Sequence, residues 1–446
     1  MDLEGFPGRL WLEGRTPLRL HAEAPLPGPM PRGPAERTGT GFLNAAMAPA
    51  RTRSILLLED ALARGWLVDD TTKPIRILDG LASTGVRWRR WLHELPSNLL
   101  PRLRITANDL DGQALDWARA THAMHPPNTS SSFLQEEDRW GTMSHGEVVG
   151  GVRILREDLR QVLAREAFQW IDLDPFGSPM PFLDGAIQAI GRRGVLAVTA
   201  TDTAALCGSS WDAGRRRYGA QGVVDEWRHD TAVRILLGAI ARIAAQHDRI
   251  IEPVLAMFDG HHVRVTVRIL RSKSAASQVH ASLGWRCHHR SGPPTFHPWD
   301  RPPEHLDRSS VSGPLWTGAL GAPEVLQHLT SERVIERCML PEGDPIITEL
   351  GLEPSDLDAM RREHLRSVAH IAPAAELLGE PGRVPLPMDL LPRWFGVPAT
   401  PRLNDLVDGL QASGRRAARA PMMTPMVLTD ASLDEVGSIV RELVQL

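Results

Sequence analysis

The hydrophobic pattern of the first 270 residues alternates between short apolar runs and longer amphipathic stretches. The runs IRILDG, LRITAND, VRILRED, FQWIDLD and GVLAVTATD are apolar through most of their length, as strands covered on both faces are. Between them lie LASTGVRWRRWLHEL, QALDWARATHAM, LRQVLAREA and FLDGAIQAI, which have helical spacing. Strands alternating with helices predict an α/β fold with a doubly wound, mainly parallel sheet.

Other segments extend this core at both ends. The start carries LWLEGRTPLRLHAE, which predicts a hairpin-like arm within residues 1–40, followed by a proline- and glycine-rich segment and a helix from Ala48 to Trp66. Further along, IIEPVLAMFDGHHVRVTVRIL predicts two antiparallel strands joined by a turn. The composition changes at RSKSAASQ, near residue 272, so we predict a first domain over 1–272.

The remainder, 273–446, is predicted to form a smaller α+β domain with helical segments around 323–340 and 354–378. Its stretch PMDLLPRWFGVPATPRLNDLVDGLQASGRRAARAP has the pattern of a helix, a turn, a second helix and an arginine-bearing strand. This order predicts a winged-helix-like unit at about 383–430. Within it Arg415, Arg416 and Arg419 are candidate RNA-binding residues, and a solvated face on a packing domain is the alternative.

Composition narrows the class of protein. The chain has 446 residues, 42% of them hydrophobic and 23% charged, which indicates a globular protein of two or three domains. No run of about 18 apolar residues occurs, and MDLEGFPGRL lacks an apolar signal core, so we expect a cytoplasmic protein without a membrane span. The net charge of -4 gives no global attraction to nucleic acid, so any such partner needs a local basic patch.

The cysteines argue against a disulfide framework. Cys207, Cys287 and Cys338 lie far apart and form no C-x-x-C pair. Cys287, with the two histidines after it and His297, could hold a metal ion, but a polar loop is the favoured interpretation. No metal site is predicted.

Three successive strands are followed by an acid where ligands bind in open α/β sheets. Asp79 precedes a turn that contains Gly85, Asp109 lies 24 residues beyond that glycine, and Asp158 follows the third strand. Alone, the turn could serve packing, and Asp109 and Asp158 could cap helices. Three acids in corresponding positions favour a nucleoside ligand, with Asp109 at the distance expected of a ribose-binding acid.

The fourth strand ends in WIDLDPFGSP, which suggests a reaction. The Asp174 carboxylate, with backbone carbonyls left free by Pro175, could accept both hydrogens of an exocyclic amine, while Phe176 offers a flat face for the base. Accepting these hydrogens prepares the amine for attack on a methyl group held in line. The alternative is a simple turn in which Phe176 fills the core.

DLDPFGSP, together with VTATDTAALCG, FLNAAMAPARTRSI and LDGLASTGVR, resembles the tRNA guanine N2-dimethyltransferase family, particularly its archaeal members. The likeness extends from about residue 10 through GPLWTGAL to RAARAPMMTPMVLTDAS. It implies a Rossmann-like class I S-adenosylmethionine-dependent methyltransferase domain. It also implies that tRNA is the partner and that guanosine 26 receives one or two methyl groups on N2.

The same resemblance implies individual roles. Asp174 would be the catalytic carboxylate beside Pro175, and Phe42 and Phe176 would enclose the flipped guanine. Arg51 and Arg87 would lie at the methionine and ribose side of the cofactor, Asp109 at the ribose and Asp158 at the adenine. The full predicted cofactor site comprises Arg51, Asp79, Gly85, Arg87, Asp109, Asp158 and Leu159.

The chain departs from the family pattern in two places. It lacks the cysteine pairs that bacterial and eukaryotic members often carry in the second domain, and FLNAAM replaces the frequent FYNPRM. Two other function classes remain open: a non-catalytic RNA-binding protein on this fold, and an amino methyltransferase for DNA adenine or a protein amide. No obligate protein partner is expected.

Overall fold

The computed structural model describes residues 3–21, 43–68, 73–127, 146–149, 151–289 and 291–445. The chain forms two compact units, each discontinuous in sequence. The first comprises Met1–Pro175, Gly185–Val198 and Leu329–Val368, and the second comprises Phe176–Asp184, Thr199–His328 and Ala369–Leu446. The predicted boundary at residue 272 stays a prediction, because this division follows contacts in space and not chain order.

Strands and helices alternate through the first half of the chain. The strands are β1 (Arg9–Glu13), β2 (Thr16–Leu20), β3 (Ile75–Asp79), β4 (Leu103–Asn108), β5 (Glu147–Val149), β6 (Val152–Leu155), β7 (Phe168–Leu173), β8 (Ile190–Ala200), β9 (Arg249–Asp259), β10 (His262–Arg271), β11 (Leu283–Cys287), β12 (Thr295–Pro298), β13 (Val311–Trp316), β14 (Leu386–Pro387), β15 (Ala417–Arg419) and β16 (Met426–Thr429).

The α-helices are α1 (Ala48–Ala63), α2 (Val86–Glu94), α3 (Gly112–Met124), α4 (Leu159–Arg165), α5 (Met180–Ala189), α6 (Thr203–Leu206), α7 (Trp211–Tyr218), α8 (Arg228–Gln246), α9 (Lys273–Ala276), α10 (Pro323–Leu326), α11 (Ser331–Cys338), α12 (Pro345–Leu350), α13 (Pro354–Arg366), α14 (Ala375–Leu378), α15 (Leu391–Phe395), α16 (Leu403–Ala412) and α17 (Leu433–Gln445). Among the described residues, none of these helices combines the length and the apolarity needed to cross a bilayer.

The first unit is built around a mainly parallel sheet. Its strand order is β5–β6–β4–β3–β7–β8, and neighbouring strands are parallel except for β5, which is antiparallel to β6. The strands are apolar because both faces are covered: Ile77, Leu78 and Ile171 are fully buried. The predicted doubly wound α/β fold is therefore confirmed, and β1 and β2 form the predicted hairpin arm.

The second unit combines antiparallel strands with helices. β9 and β10 pair along IIEPVLAMFDGHHVRVTVRIL as predicted, with a bulge between Thr266 and Val267. β11 lies between β12 and β13, and α8 packs against β9 and β13. The helical stretch predicted at 323–340 is divided: α10 belongs to this unit, whereas α11, which begins after the capping residue Thr330, belongs to the first unit.

The end of the second unit has the order strand, helix, helix, two-stranded wing and helix. β14 and β15 both pair with β16; α16 packs against β15 and β16, and α17 packs against α15 and α16. Its core is apolar and fully buried at Leu391, Leu406, Leu410, Val436 and Val440. The winged-helix-like unit predicted at about 383–430, with these bounds, stays a prediction.

Candidate active site

The carboxyl ends of three neighbouring parallel strands bring the acids of the predicted site together. β3 ends at Asp79, which is in register with Ala107 of β4 and Asp172 of β7. Asp109 directly follows β4, and Asp174 follows β7. Because the three strands run in the same direction, these acids lie at one edge of the sheet, where open α/β folds bind ligands.

Arg87, at the start of α2, joins two of these acids. Its Nη2 donates to Oδ2 of Asp174, and its Nε lies 3.3 Å from Oδ1 of Asp172. Burial alone would lower the pKa of Arg87, but the two carboxylates raise it, so the guanidinium stays charged. The Asp172 side chain is fully buried, whereas that of Asp174 is 20% exposed. Asp174 is therefore the acid of this pair that a substrate can reach.

Asp79 is buried among further carboxylates. Burial raises the pKa of Asp79 to about 7; Arg87 opposes this rise, and nearby carboxylates add to it, Asp172 most strongly. The Oδ2 atom of Asp79 has no hydrogen-bond partner in the described part of the chain. This edge of the sheet therefore has an excess of acidic groups and an unsatisfied acceptor.

Asp109, which directly follows β4, is oriented by two backbone N–H groups. Its Oδ2 accepts from the Ser83 N–H at 2.7 Å, and its Oδ1 accepts from the Asp111 N–H at 2.9 Å. Each carboxylate oxygen has a second lone pair, so acceptor capacity remains for ribose hydroxyls. Asn108, which the sequence analysis missed, ties the strand end to the turn by donating to the Gly80 carbonyl oxygen at 3.2 Å.

Two glycines shape the turn from β3 into α2. Gly85 has φ +77°, in the left-handed region that favours glycine, and immediately precedes α2. A Cβ at Gly80 would lie 3.1 Å from the Leu159 side chain and 3.2 Å from the Asp172 carbonyl oxygen. Packing therefore accounts for Gly80, while Gly85 is explained by its backbone conformation.

Asp158 caps α4. Its Oδ1 accepts from the Arg160 N–H at 2.9 Å, and the carboxylate also binds the Arg160 guanidinium. The side-chain hydrogen bond from Arg160 lowers the pKa of Asp158 to about 2, so the carboxylate is charged at neutral pH. The cap that was an alternative to adenine binding is thus present, and the adenine contact stays a prediction. Leu159 is buried beside it.

Arg51 is held inside the first unit by Glu13. Its Nε donates to Glu13 Oε1 at 2.6 Å, and its Nη2 donates to the same carboxylate and to the Asn44 carbonyl oxygen. Arg51 is 4% exposed. Its predicted contact with the cofactor stays a prediction, which must be compatible with this buried ion pair.

The second unit begins at Phe176, which is 63% exposed, whereas Pro175 is buried. The next residue, Gly177, has φ +77°; its N–H donates to Thr201 Oγ1 at 2.7 Å and its carbonyl oxygen accepts from the Thr201 N–H. The exposure of Phe176 excludes the alternative in which this ring fills the core. Phe42, predicted to face it, lies outside the described residues.

A hydrogen-bonded chain of side chains holds the end of DPFGSP. Ser178 Oγ lies 3.0 Å from the Tyr218 hydroxyl, which donates to Asp202 Oδ1 at 2.6 Å. Arg217 Nη1 donates to Asp202 Oδ2 at 3.0 Å. No sequence pattern connects these residues, although Tyr218 is the single tyrosine of the protein and Asp202 lies in VTATDTAALCG.

The chemistry of the strand ends matches the predicted cofactor. The buried polar atoms without a hydrogen-bond partner in the described ranges include Asp79 Oδ2, Thr84 Oγ1, Arg87 Nη1 and Asn108 Oδ1, which lie at or next to these strand ends. S-adenosylmethionine carries a carboxylate and hydroxyls, which can accept from or donate to these atoms. Its ammonium and sulfonium charges suit a site with more carboxylates than guanidinium groups. The residues present therefore fit this cofactor.

The segment that starts at Cys287 is engaged in hydrogen bonds. His288 binds Asp225 through Nδ1 and Ser312 Oγ through Nε2 at 2.8 Å. Across the residues described, no group of three or more His, Cys, Asp and Glu side chains is arranged to hold a metal ion. These contacts give the histidine a structural role.

The arginines predicted to bind RNA lie around the wing of the second unit. They are Arg415, Arg416 and Arg419. Arg415 Nε donates to Glu435 at 2.9 Å, and Arg416 Nε donates to Asp430 at 2.9 Å. Arg416 Nη2 also donates to Glu380. These pairs are solvent-exposed and therefore weak, so phosphate groups could replace the carboxylates.

Comparisons with known proteins agree on one family. The profile of the N2,N2-dimethylguanosine tRNA methyltransferase family matches residues 35–339. The tRNA (guanine(26)-N(2))-dimethyltransferase of Methanosphaerula palustris is 30% identical over 433 residues, which cover 96% of this chain and 97% of that protein. The protein of the same name from Methanospirillum hungatei is 32% identical and covers 72% of this chain and 75% of its own length.

A solved structure shows the same fold. The complex of Trm1 from Pyrococcus horikoshii with S-adenosyl-L-methionine superposes with a TM-score of 0.69. The match covers 97% of this chain and 99% of that chain at 22% sequence identity.

Proposed function

Because this chain belongs to the N2,N2-dimethylguanosine tRNA methyltransferase family, we propose that Asp174 receives the proton that leaves the exocyclic N2 of a tRNA guanosine. The chain is an S-adenosylmethionine-dependent tRNA guanine N2-methyltransferase, and the name of its relatives gives position 26. One observation supports Asp174 above the other acids. Its carboxylate is partly exposed at the strand ends and directly precedes Pro175 and the exposed ring of Phe176.

The proposed chemistry depends on keeping Asp174 ionised. The amine of guanine is a poor nucleophile because its lone pair is delocalised into the ring. A carboxylate that accepts its hydrogen localises the lone pair on N2 and then takes up the proton. The Arg87 guanidinium donates to Asp174 Oδ2 and so faces the carboxylate that is proposed to accept the proton. S-adenosylmethionine supplies the electrophilic methyl group, and Phe176 would stack on the base.

The residues proposed to hold the cofactor are those predicted from the sequence: Arg51, Asp79, Gly85, Arg87, Asp109, Asp158 and Leu159. The unsatisfied atoms of Asp79 and Arg87 support this set most directly. Asp109, fixed by two backbone N–H groups, is proposed to accept from the ribose hydroxyls. Phe42 is proposed to enclose the guanine opposite Phe176, in a protein that works in the cytoplasm without an obligate protein partner.

Asp109→Ala is expected to weaken cofactor binding by about 1.5–3 kcal/mol, because charge-assisted hydrogen bonds to the ribose are lost. Isothermal titration calorimetry with S-adenosylmethionine measures this change. Asp111→Ala is the matched control: it removes a helix-capping aspartate two residues away, whose Oδ1 accepts from Gln113 and Ala114 N–H groups. Equal dissociation constants for the two folded variants would contradict the ribose role.

Replacing Arg415 and Arg416 together by alanine is expected to raise the tRNA dissociation constant and to flatten its salt dependence. The slope of log K against log salt should fall by up to about two, one counterion for each lost phosphate contact. Filter binding at several salt concentrations measures both quantities. If affinity and slope match those of the wild type, these arginines only form their surface ion pairs with Glu435, Asp430 and Glu380.

One experiment tests the proposed function as a whole. Unmodified tRNA is incubated with the protein and S-adenosylmethionine, digested to nucleosides and examined by mass spectrometry. N2-methylguanosine and N2,N2-dimethylguanosine are the expected products, and their ratio over time distinguishes one transfer from two. No product on tRNA would favour the non-catalytic RNA-binding alternative. Product on DNA or protein substrates, in parallel reactions, would favour the other amino methyltransferase alternative.

A further inference from the structure

Helix α7 presents a dense group of cations at the surface of the second unit. Its sequence is WDAGRRRY, and Arg215, Arg216 and Arg217 are all exposed. They lie in the last turn, where cations interact favourably with the helix dipole. The helix dipole explains some positive charge at the carboxyl end of α7, but it does not explain how the neighbouring ring of Trp211 is arranged.

The indole ring of Trp211 contacts arginines from two separate segments. The guanidinium carbon of Arg215 lies 4.6 Å from the centre of the indole, and that of Arg308 lies 5.3 Å from it. Arg308 belongs to the loop before β13, outside α7, so the helix dipole does not account for its place. A guanidinium held by its face against a ring keeps its N–H edge available for phosphate oxygens.

The α7 patch, defined here as Trp211, Arg215, Arg216 and Arg308, differs from the wing arginines in its partners. Within the described residues, Arg215, Arg216 and Arg308 form no salt bridge, whereas Arg217 binds Asp202. The acid beside Arg308, Asp307, already accepts hydrogen bonds from the Ser309 and Ser310 side chains. Among the residues that the structure describes, a phosphate group at the patch therefore breaks no salt bridge of these arginines.

The patch is also fixed relative to the DPFGSP motif. α7 ends at Tyr218, whose hydroxyl contacts Ser178 of that motif and donates to Asp202. Arg215 lies three residues earlier, which is about 4.5 Å along the helix axis. The patch and the exposed ring of Phe176 belong to the same compact unit. Backbone bound at α7 would thus be held in a constant relation to the base that stacks on Phe176.

We propose that the α7 patch binds phosphate groups of the tRNA backbone close to the guanosine that is methylated. The inference rests on the proposed function and adds to it the surface that positions the substrate near the reacting base. It also explains how a chain with a net charge of -4 holds a polyanion: a local group of arginines supplies the attraction.

The test compares two pairs of exposed, consecutive helical arginines. Arg215→Ala with Arg216→Ala removes half of the patch, and Arg361→Ala with Arg362→Ala removes the same charge from α13 in the first unit. Filter binding to unmodified tRNA at several salt concentrations gives the dissociation constant and its salt slope. For the patch variant we expect a dissociation constant raised roughly tenfold or more and a slope reduced by about two. The control should stay near the wild type.

A second variant guards against misfolding of α7. Arg308→Gln lies outside the helix and should reduce the slope by about one while leaving the thermal midpoint and S-adenosylmethionine affinity unchanged. Patch variants that match the α13 control in affinity and slope would overturn the inference. That outcome differs from failure of the proposed function, in which the wild-type protein itself yields no methylated guanosine.

Discussion

Asp174→Asn is expected to lower single-turnover methylation of tRNA by about 10²–10⁴-fold, the usual contribution of a positioned acid or base. The amide carries no negative charge to attract the proton from N2 and presents a donor where an acceptor is required. It also removes the charge that now faces Arg87 Nη2. Rapid-quench measurement of methyl transfer from radiolabelled S-adenosylmethionine reports the chemical step directly.

Asp184→Asn serves as the matched control for this variant. Asp184 lies in α5, is 59% exposed and contacts His247, so the same substitution there removes a surface charge. The Asp174 variant should retain the circular dichroism spectrum of the wild type, because its carboxylate lies at the mouth of the site and not in the core. A single-turnover rate within a few fold of the control would refute the proposed role of Asp174.

The sequence predicted the strand ends correctly, because the pattern that identifies each strand lies within the strand itself. Apolar runs alternating with helical stretches indicate a parallel sheet, and the direction of its strands places the acids that follow them along one edge. Asp79, Asp109 and Asp174 could therefore be brought together without any structure. The order of helices and strands in the predicted winged-helix-like unit could be read from the sequence for the same reason, because each element has its own hydrophobic periodicity.

What the sequence did not predict are the partners that charged residues take from distant segments. Arg87 follows a glycine-rich turn, and nothing in that turn indicates that it will bind Asp172 and Asp174 after β7. Asp172 was visible as the first acid of DLDP, but a pattern alone does not show that it is the buried member of the pair. The contacts of Tyr218 were even harder to predict from the sequence, because a single tyrosine forms no pattern.

Arg51, which the resemblance assigned to the cofactor site, is another residue whose partner the sequence did not predict. The structure pairs it with Glu13 of the β1–β2 hairpin, which no spacing rule connects to α1. Arg90 of α2 completes the cluster: its Nη1 binds Glu13 and its Nη2 binds Glu94 at 2.7 Å. Two guanidinium groups and two carboxylates thus balance one another in the interior of the first unit.

This buried cluster leads to the largest stability effect that we expect. Glu13→Gln should lower the free energy of unfolding by about 3–5 kcal/mol, because it leaves Arg51 and Arg90 with one carboxylate fewer while they remain buried. Urea denaturation followed by tryptophan fluorescence measures the change. Glu349→Gln is the control: Glu349 is 53% exposed and lies 3.6 Å from Arg19, so its loss should be below about 1 kcal/mol.

The pH dependence gives an independent check. Burial alone would raise the pKa of Glu13, but Arg51 and then Arg90 hold it at about 2, below the ordinary value of 4.5. A carboxyl whose pKa is lowered by folding stabilises the folded state fully above the unfolded value, and this contribution disappears as pH falls through the folded value. The stability difference between wild type and Glu13→Gln should therefore be constant near neutral pH and shrink as pH falls from about 4.5 towards 2. A difference that stays the same down to pH 3 would show that the Glu13 charge does not stabilise the cluster.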